Sequence, residues 1–124
     1  MVRILIVDDV LSVRDTMKDF LEFFVEEIDV QMARNGSEAI EKVKENVFNI
    51  LISDQNMPDM KGSEFIEATI DKLRADKTEI YIYSGELKEE LSIDFKDYGE
   101  VQVIDKFESP MFFKDILERY DSKK

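Results

Sequence analysis

The chain has 124 residues, 44% of them hydrophobic, with no cysteine or histidine and a net charge of −12 from 29 acidic and 17 basic side chains. This composition excludes a disulfide scaffold, thiolate or imidazole metal sites, and Ser-His or Cys-His catalysis. It also opposes nonspecific binding to nucleic acid or to anionic membranes, which need basic surface. The length suits one domain with its own core, so the expectation is a single unit over residues 1–124 with no effector domain. No run of eighteen apolar residues occurs, so no membrane span is expected. Asp8-Asp9 directly follow the first apolar run, which does not fit a signal-peptide cleavage site, and a cytoplasmic location is expected.

Val2 to Val7 is apolar except for Arg3 and reads as a strand covered on both faces. Ser12 is the expected cap of a helix whose stripe is Val13, Met17, Phe20, Leu21 and Phe24. A short strand follows at Val30 to Ala33. Asn35-Gly36-Ser37 turns into a second helix, with Ser37 as cap and Ala39, Ile40, Val43 and Val47 facing inward. Ile50 to Ser53 is a buried central strand. Gly62-Ser63 opens a third helix with Phe65, Ile66, Thr69, Ile70 and Leu73 on its inner side, and Ala75-Asp76-Lys77 forms a loop. Ile80 to Tyr83 is a fourth strand ending in Ser84-Gly85. Leu87 to Tyr98 is a highly charged helix stopped by Gly99, and Val101 to Ile104 is a fifth strand ending in Asp105-Lys106. Ser109-Pro110 starts a last helix lined by Met111, Phe113, Ile116, Leu117 and Tyr120. Five strand-helix repeats with short connections predict a doubly wound α/β fold: a parallel sheet with helices on both faces, three layers in all.

In such a sheet the C-terminal strand ends lie along one edge, where ligands bind. The first strand offers Asp8 and Asp9 there, the third Asp54, the fourth Ser84 and the fifth Lys106. Three carboxylates in one crevice repel one another, and a hard divalent cation removes the conflict. Mg²⁺ takes a few carboxylate oxygens, a carbonyl and waters; Asp9, Asp54 and the backbone carbonyl of Asn56 would supply them, with Asp8 close by or acting through water. Mn²⁺ is an alternative ion. A carboxylate is also a usable nucleophile toward phosphorus. Asp54 is therefore the candidate phosphoacceptor. Mg²⁺, the Lys106 ammonium and the Ser84 hydroxyl would neutralise or donate to the phosphoryl oxygens.

These residues resemble the receiver domain of two-component response regulators, most closely the single-domain, CheY-like members. The resemblance spans the chain. It rests on Asp8-Asp9, on Arg14, on Asp54 followed by Met57-Pro58-Asp59-Met60-Lys61-Gly62, and on Ser84-Gly85 and Lys106. The separations of 30 residues from Asp54 to Ser84 and 22 from Ser84 to Lys106 also suit the family. It implies a flavodoxin-like, CheY-like (βα)5 fold with strand order 2-1-3-4-5. It implies that Asp54 takes its phosphoryl group, in a Mg²⁺-dependent reaction, from a phosphohistidine of a sensor histidine kinase or histidine phosphotransfer protein. It also implies a downstream protein target on the face of the fourth and fifth helices. Side chains at Asn56 and Glu86, beside Gln55, would tune how long the phosphoryl group survives. The domain would assist its own phosphorylation and dephosphorylation without being a turnover enzyme.

The chain departs from the family at two places. Phe107 follows Lys106 where the family has a proline in a cis peptide, so a trans bond and an altered loop are expected. Val103 stands where the family places the aromatic residue that turns inward when the Ser moves toward the phosphoryl group. The switch would then involve Ser84 with Phe107, or rearrangement of Leu87–Tyr98. Other features have plainer readings: Met111 and Phe113 as core with Phe112 exposed, Glu86 to Asp97 as a solvated face, Tyr81 and Tyr83 as structural, Lys61 and Arg14 as ordinary surface charges.

A stand-alone chemotaxis or motility regulator is the favoured reading, with a phosphorelay intermediate second. A Mg²⁺-dependent phosphatase with an Asp nucleophile is the alternative of another class, but it usually carries Asp-x-Asp on the first strand. A flavin-nucleotide carrier would need a phosphate loop where Asp8-Asp9 stand.

Overall fold

The computed structural model describes residues 1–85, 95, 97–105 and 116–118. Strands and helices alternate as β1 (Val2–Val7), α1 (Leu11–Phe24), β2 (Ile28–Ala33), α2 (Gly36–Glu45), β3 (Ile50–Ser53), α3 (Gly62–Ala75), β4 (Glu79–Ser84) and β5 (Val101–Asp105). Residues 116–118 are helical as well. The strands form one parallel sheet in the order β2-β1-β3-β4-β5, as the resemblance implied.

The inner strands are apolar at almost every position because both faces are covered. Alternation along each strand divides their side chains between two cores. Leu5, Val7, Leu51, Ile80 and Ile82 cluster with Ala39 and Val43 of α2 and Phe65, Ile66, Ile70 and Leu73 of α3. Ile4, Ile6, Ile50, Ile52 and Tyr81 cluster on the other face with Met17 and Leu21 of α1 and with Ile116 and Leu117. Each fully buried aliphatic or aromatic side chain contributes about 1.5–3 kcal/mol, so the two clusters hold the layers together. The inner side of α3 is as predicted from its spacing: Phe65, Ile66, Thr69, Ile70 and Leu73 are all buried.

Several local expectations are corrected. α1 begins at Leu11 without a side-chain cap, and the carbonyl of Val10 accepts from the N–H groups of Val13 and Arg14. Ser12 therefore sits inside the first turn. Asn35 caps α2, its Oδ1 accepting from the Glu38 N–H at 2.8 Å, so Ser37 too lies inside the helix. α2 stops at Glu45, where the Asn46 side chain donates to the Lys42 carbonyl. That ending turns Val47 outward and Phe48 into the core, the reverse of the inward face expected for Val47. β2 starts at Ile28, two residues earlier than its apolar run suggested, because Ile28 and Asp29 pair with Val2 and Arg3. The helix expected over Leu87–Tyr98 falls mostly outside the described residues, as do the Lys106–Phe107 bond, the Ser109-Pro110 helix start, and Met111, Phe112 and Phe113.

Candidate functional site

β1 and β3 pair with Val7 opposite Ser53, so Asp8 and Asp54 leave neighbouring strands at the same level. The Asp54 N–H donates to the Val7 carbonyl at 2.8 Å, which fixes that level, and the Asp8 N–H donates to the Ala33 carbonyl. One carboxylate oxygen from each of Asp8, Asp9 and Asp54 lies within 4.8 Å of the others. Asp8 and Asp54 are 3% and 5% exposed, while Asp9 is open to solvent. Three converging carboxylates, two buried and one on the rim, are hard oxygen donors of the kind Mg²⁺ takes. The residues fit that ion, and the open rim leaves room for water or a substrate oxygen on it.

The chain around each acid is held in place. Oδ1 of Asp8 accepts from the Val10 N–H at 2.9 Å, and its carbonyl accepts from Nη1 of Arg14 at 2.6 Å. Arg14 is thus tied to the site from the first turns of α1, and is not the ordinary surface charge expected for it. The Asn56 N–H donates to Oδ1 of Asp54 at 3.4 Å, which lays the start of the loop beside the carboxylate.

Behind Asp54 the side chain of Gln55 is 1% exposed. Its Nε2 donates to Oγ of Ser63 at 3.1 Å, its Oε1 accepts from the Ser63 N–H at 2.9 Å, and its carbonyl accepts from the Gly62 N–H at 2.8 Å. Gln55 therefore joins the end of β3 to the start of α3. Asn56 and Lys61 close the loop between them as an antiparallel bridge.

The far side of the loop is anchored on α2. Asp59 accepts from the Gly36 N–H at 3.0 Å and from the Ser37 N–H and hydroxyl at 2.9 and 2.8 Å. A carboxylate over the N–H groups of a helix N-terminus is stabilised in its charged form. The bonds from Gly36 and then Ser37 accordingly hold the Asp59 carboxyl at about 2, below its ordinary 3.8. Met60 packs beside it: a Cβ at Gly36 would stand 2.2 Å from the Met60 Cγ, so any side chain there would displace the Met60 side chain.

Ser84 ends β4 and is 1% exposed. Because Ile82 pairs with Ser53, Ser84 stands one level beyond Asp54 along the sheet edge. Gly85 is exposed, with open space where a side chain would go. Val103 pairs with Ile82 and is half-buried against the core on the α2–α3 side. Glu86, Lys106 and Phe107 lie outside the described residues. Sequence reasoning missed the anchoring roles of Gln55, Asp59 and Arg14. Arg14 and Asp59 are among the residues that carry the resemblance, but nothing local pairs Asp59 with Gly36, 23 residues away.

A family model described as the response regulator receiver domain matches residues 4–118. Among curated proteins, the chemotaxis protein CheY of Bacillus subtilis is 43% identical over 60 residues, 48% of this chain and 49% of that protein. A protein-glutamate methylesterase/protein-glutamine glutaminase of Methanococcus maripaludis is 34% identical over 107 residues, 85% of this chain. The chain spans between 19% and 28% of the length of the methylesterase relatives it matches. Among solved structures, the chemotaxis response regulator CheY4 of Vibrio cholerae superposes with a TM-score of 0.82 at 30% identity, covering 96% of this chain and 98% of that one. A CheY-like receiver domain protein of Methanospirillum hungatei gives 0.77 at 30% identity, covering 99% and 93%.

Proposed function

The chain belongs to the response regulator receiver family, and on that premise we propose that it is a phosphoryl-accepting signalling switch centred on Asp54. The observation behind this reading is the convergence of Asp8, Asp9 and Asp54 within 4.8 Å at the edge of the sheet. Asp8, Asp9, Asp54 and the Asn56 carbonyl would hold Mg²⁺, which supplies charge neutralisation at the phosphoryl oxygens. A carboxylate oxygen of Asp54 attacks the phosphorus of a phosphohistidine on a partner sensor kinase or histidine phosphotransfer protein. The new O–P bond replaces the N–P bond, and the imidazole leaves with the bonding pair. Ser84 would donate its hydroxyl to one phosphoryl oxygen and Lys106 its ammonium to another, with Gly85, next to Ser84, as a further phosphoryl-stabilising position. Water attacking the same phosphorus returns the carboxylate, and the side chains at Asn56 and Glu86 would govern its access.

The modified state would bind a target protein, with Ser84, Val103 and Phe107 as the coupling elements. Similarity to the Bacillus and Vibrio chemotaxis proteins favours a chemotaxis or motility target. Similarity to the sensor kinase/phosphatase LuxQ of Vibrio vulnificus, 27% over 102 residues but only 12% of that protein, supports the phosphorelay alternative. Transfer profiling separates the readings. A panel of purified, ³²P-labelled histidine kinases is mixed with the chain, and then with a histidine phosphotransfer protein. A chemotaxis-type switch takes label from one kinase and releases it as phosphate, whereas a relay intermediate passes it on. Sustained turnover of a generic phosphomonoester would instead indicate a phosphatase.

A further inference from the structure

The end of α1 remote from the acids carries a feature the phosphoryl site does not use. α1 has 14 residues, about 20 Å of helix, with Asp8 and Asp9 before its start and Phe23 near its end. Phe23 is 83% exposed. Its ring stands edge-on to Phe24 at 5.0 Å, and Phe24 in turn lies 4.8 Å from Phe20. Phe20 and Phe24 are only half-buried, as are Ile28, Val30 and Met32 on the same face of β2, the edge strand beside α1. The result is an aromatic shelf continuous with the apolar margin of the sheet. Single exposed apolar residues need no explanation, but a contiguous patch around a projecting ring marks a contact surface.

The surroundings say which partner fits. Asp19 lies one helical turn before Phe23, Glu22 adjoins it, and Glu26 and Glu27 follow; all four are exposed. Lys18 is five positions from Phe23, which turns it to the other side of the helix. A second copy of the chain would set one such acidic rim, and a net charge of −12, against another. We infer that the Phe20–Phe23–Phe24 shelf with its acidic rim docks a cationic amphipathic segment of a partner protein, at a surface distinct from the phosphoryl site. Apolar side chains of that segment cover the phenyl rings while its Lys or Arg residues meet the carboxylates.

The test uses the full ¹⁵N-labelled chain and two synthetic helical peptides of one pattern, one built from Leu and Lys, the other from Leu and Glu. The Leu/Lys peptide is expected to shift the resonances of residues 19–32, with an affinity that falls as salt is raised. Phe23→Ser should weaken it by about fivefold or more, as truncating an aromatic anchor does. The double variant Asp19→Lys/Glu22→Lys should weaken it independently, and both changes fall on exposed positions. Phosphoryl acceptance at Asp54 stays unchanged in Phe23→Ser, so failure of this inference and failure of the phosphoryl reading are distinguishable. Shifts centred elsewhere, equal binding of the Leu/Glu peptide, or an unchanged affinity in Phe23→Ser would each overturn the inference. Self-association of the chain abolished by Phe23→Ser would do so too, by assigning the shelf to a second copy.

Discussion

Gly62 lies directly against the backbone of Asp54: a Cβ at Gly62 would stand 2.4 Å from the Asp54 carbonyl oxygen, and 3.1 Å from Oε1 of Gln55. Neither neighbour can retreat, since one is main chain and the other is a buried side chain bonded to Ser63. Gly62→Ala must therefore push the end of β3 away from α3. We expect a loss of about 1–3 kcal/mol in urea denaturation, the usual cost of forcing extra volume into a packed site. The same shift moves the Asp54 carboxylate, so phosphoryl acceptance should fall with it. A variant that keeps full stability would show that the loop yields without cost.

The clamp of Asp59 on α2 has a pH signature. The folded-state value is depressed to about 2 from 3.8, with the Gly36 N–H bond as first cause. A depressed carboxyl stabilises the fold above its unfolded value, and that contribution disappears as pH falls through the folded one. Asp59→Asn should thus lower the urea midpoint at neutral pH, and the gap to wild type should close between about pH 4 and pH 2. Asp59 is exposed, so the difference at pH 7 is expected near 0.3–1 kcal/mol, the range for an acid at a helix N-terminus. A gap that persists unchanged at the acid end would sink this assignment.

Magnesium should stabilise the folded chain, because the three acids come together only when it folds. Linkage gives about 1.4 kcal/mol at free Mg²⁺ ten times its Kd, and a melting temperature raised by a few degrees. Asp9→Asn removes the exposed member of the set and should abolish most of the shift while leaving a folded protein. Equal shifts in wild type and Asp9→Asn would place the ion elsewhere.

Lys77 is held at φ 58 where α3 passes into β4. A side chain in that left-handed region costs about 1–2 kcal/mol that glycine avoids. Part of the gain is offset by glycine's freer unfolded chain. Lys77→Gly is therefore expected to raise stability by about 0.5–1 kcal/mol, read as a higher urea midpoint with unchanged slope. Destabilisation would mean that the lysine side chain makes up for its backbone.

How far the sequence foretold these features depends on the range of the forces involved. The inner face of α3 was legible because a 3.6-residue period repeats over 14 residues, and packing agreed with it throughout. The acids at the ends of β1 and β3 were legible because an apolar run that stops at an aspartate needs no tertiary information. Caps were not. Ser12 and Ser37 have the right chemistry, yet Val10 and Asn35 occupy the cap positions, and a one- or two-residue difference in where a helix starts leaves the periodicity unchanged. Val47 points outward, not inward as its spacing suggested, because α2 ends at Glu45, where the Asn46 side chain closes the helix. Contacts across the fold were least visible: Asp59 meets Gly36 from 23 residues away, and nothing local pairs them.

The most direct measurement of the central claim is stoichiometric labelling of the purified chain by acetyl phosphate, with the site located by mass spectrometry. One phosphoryl group per chain is expected, carried on Asp54, dependent on Mg²⁺ or Mn²⁺, lost on adding a chelator before the donor, and absent from Asp54→Ala. Labelling that proceeds without a divalent ion, or that survives in Asp54→Ala at the same level, would contradict it.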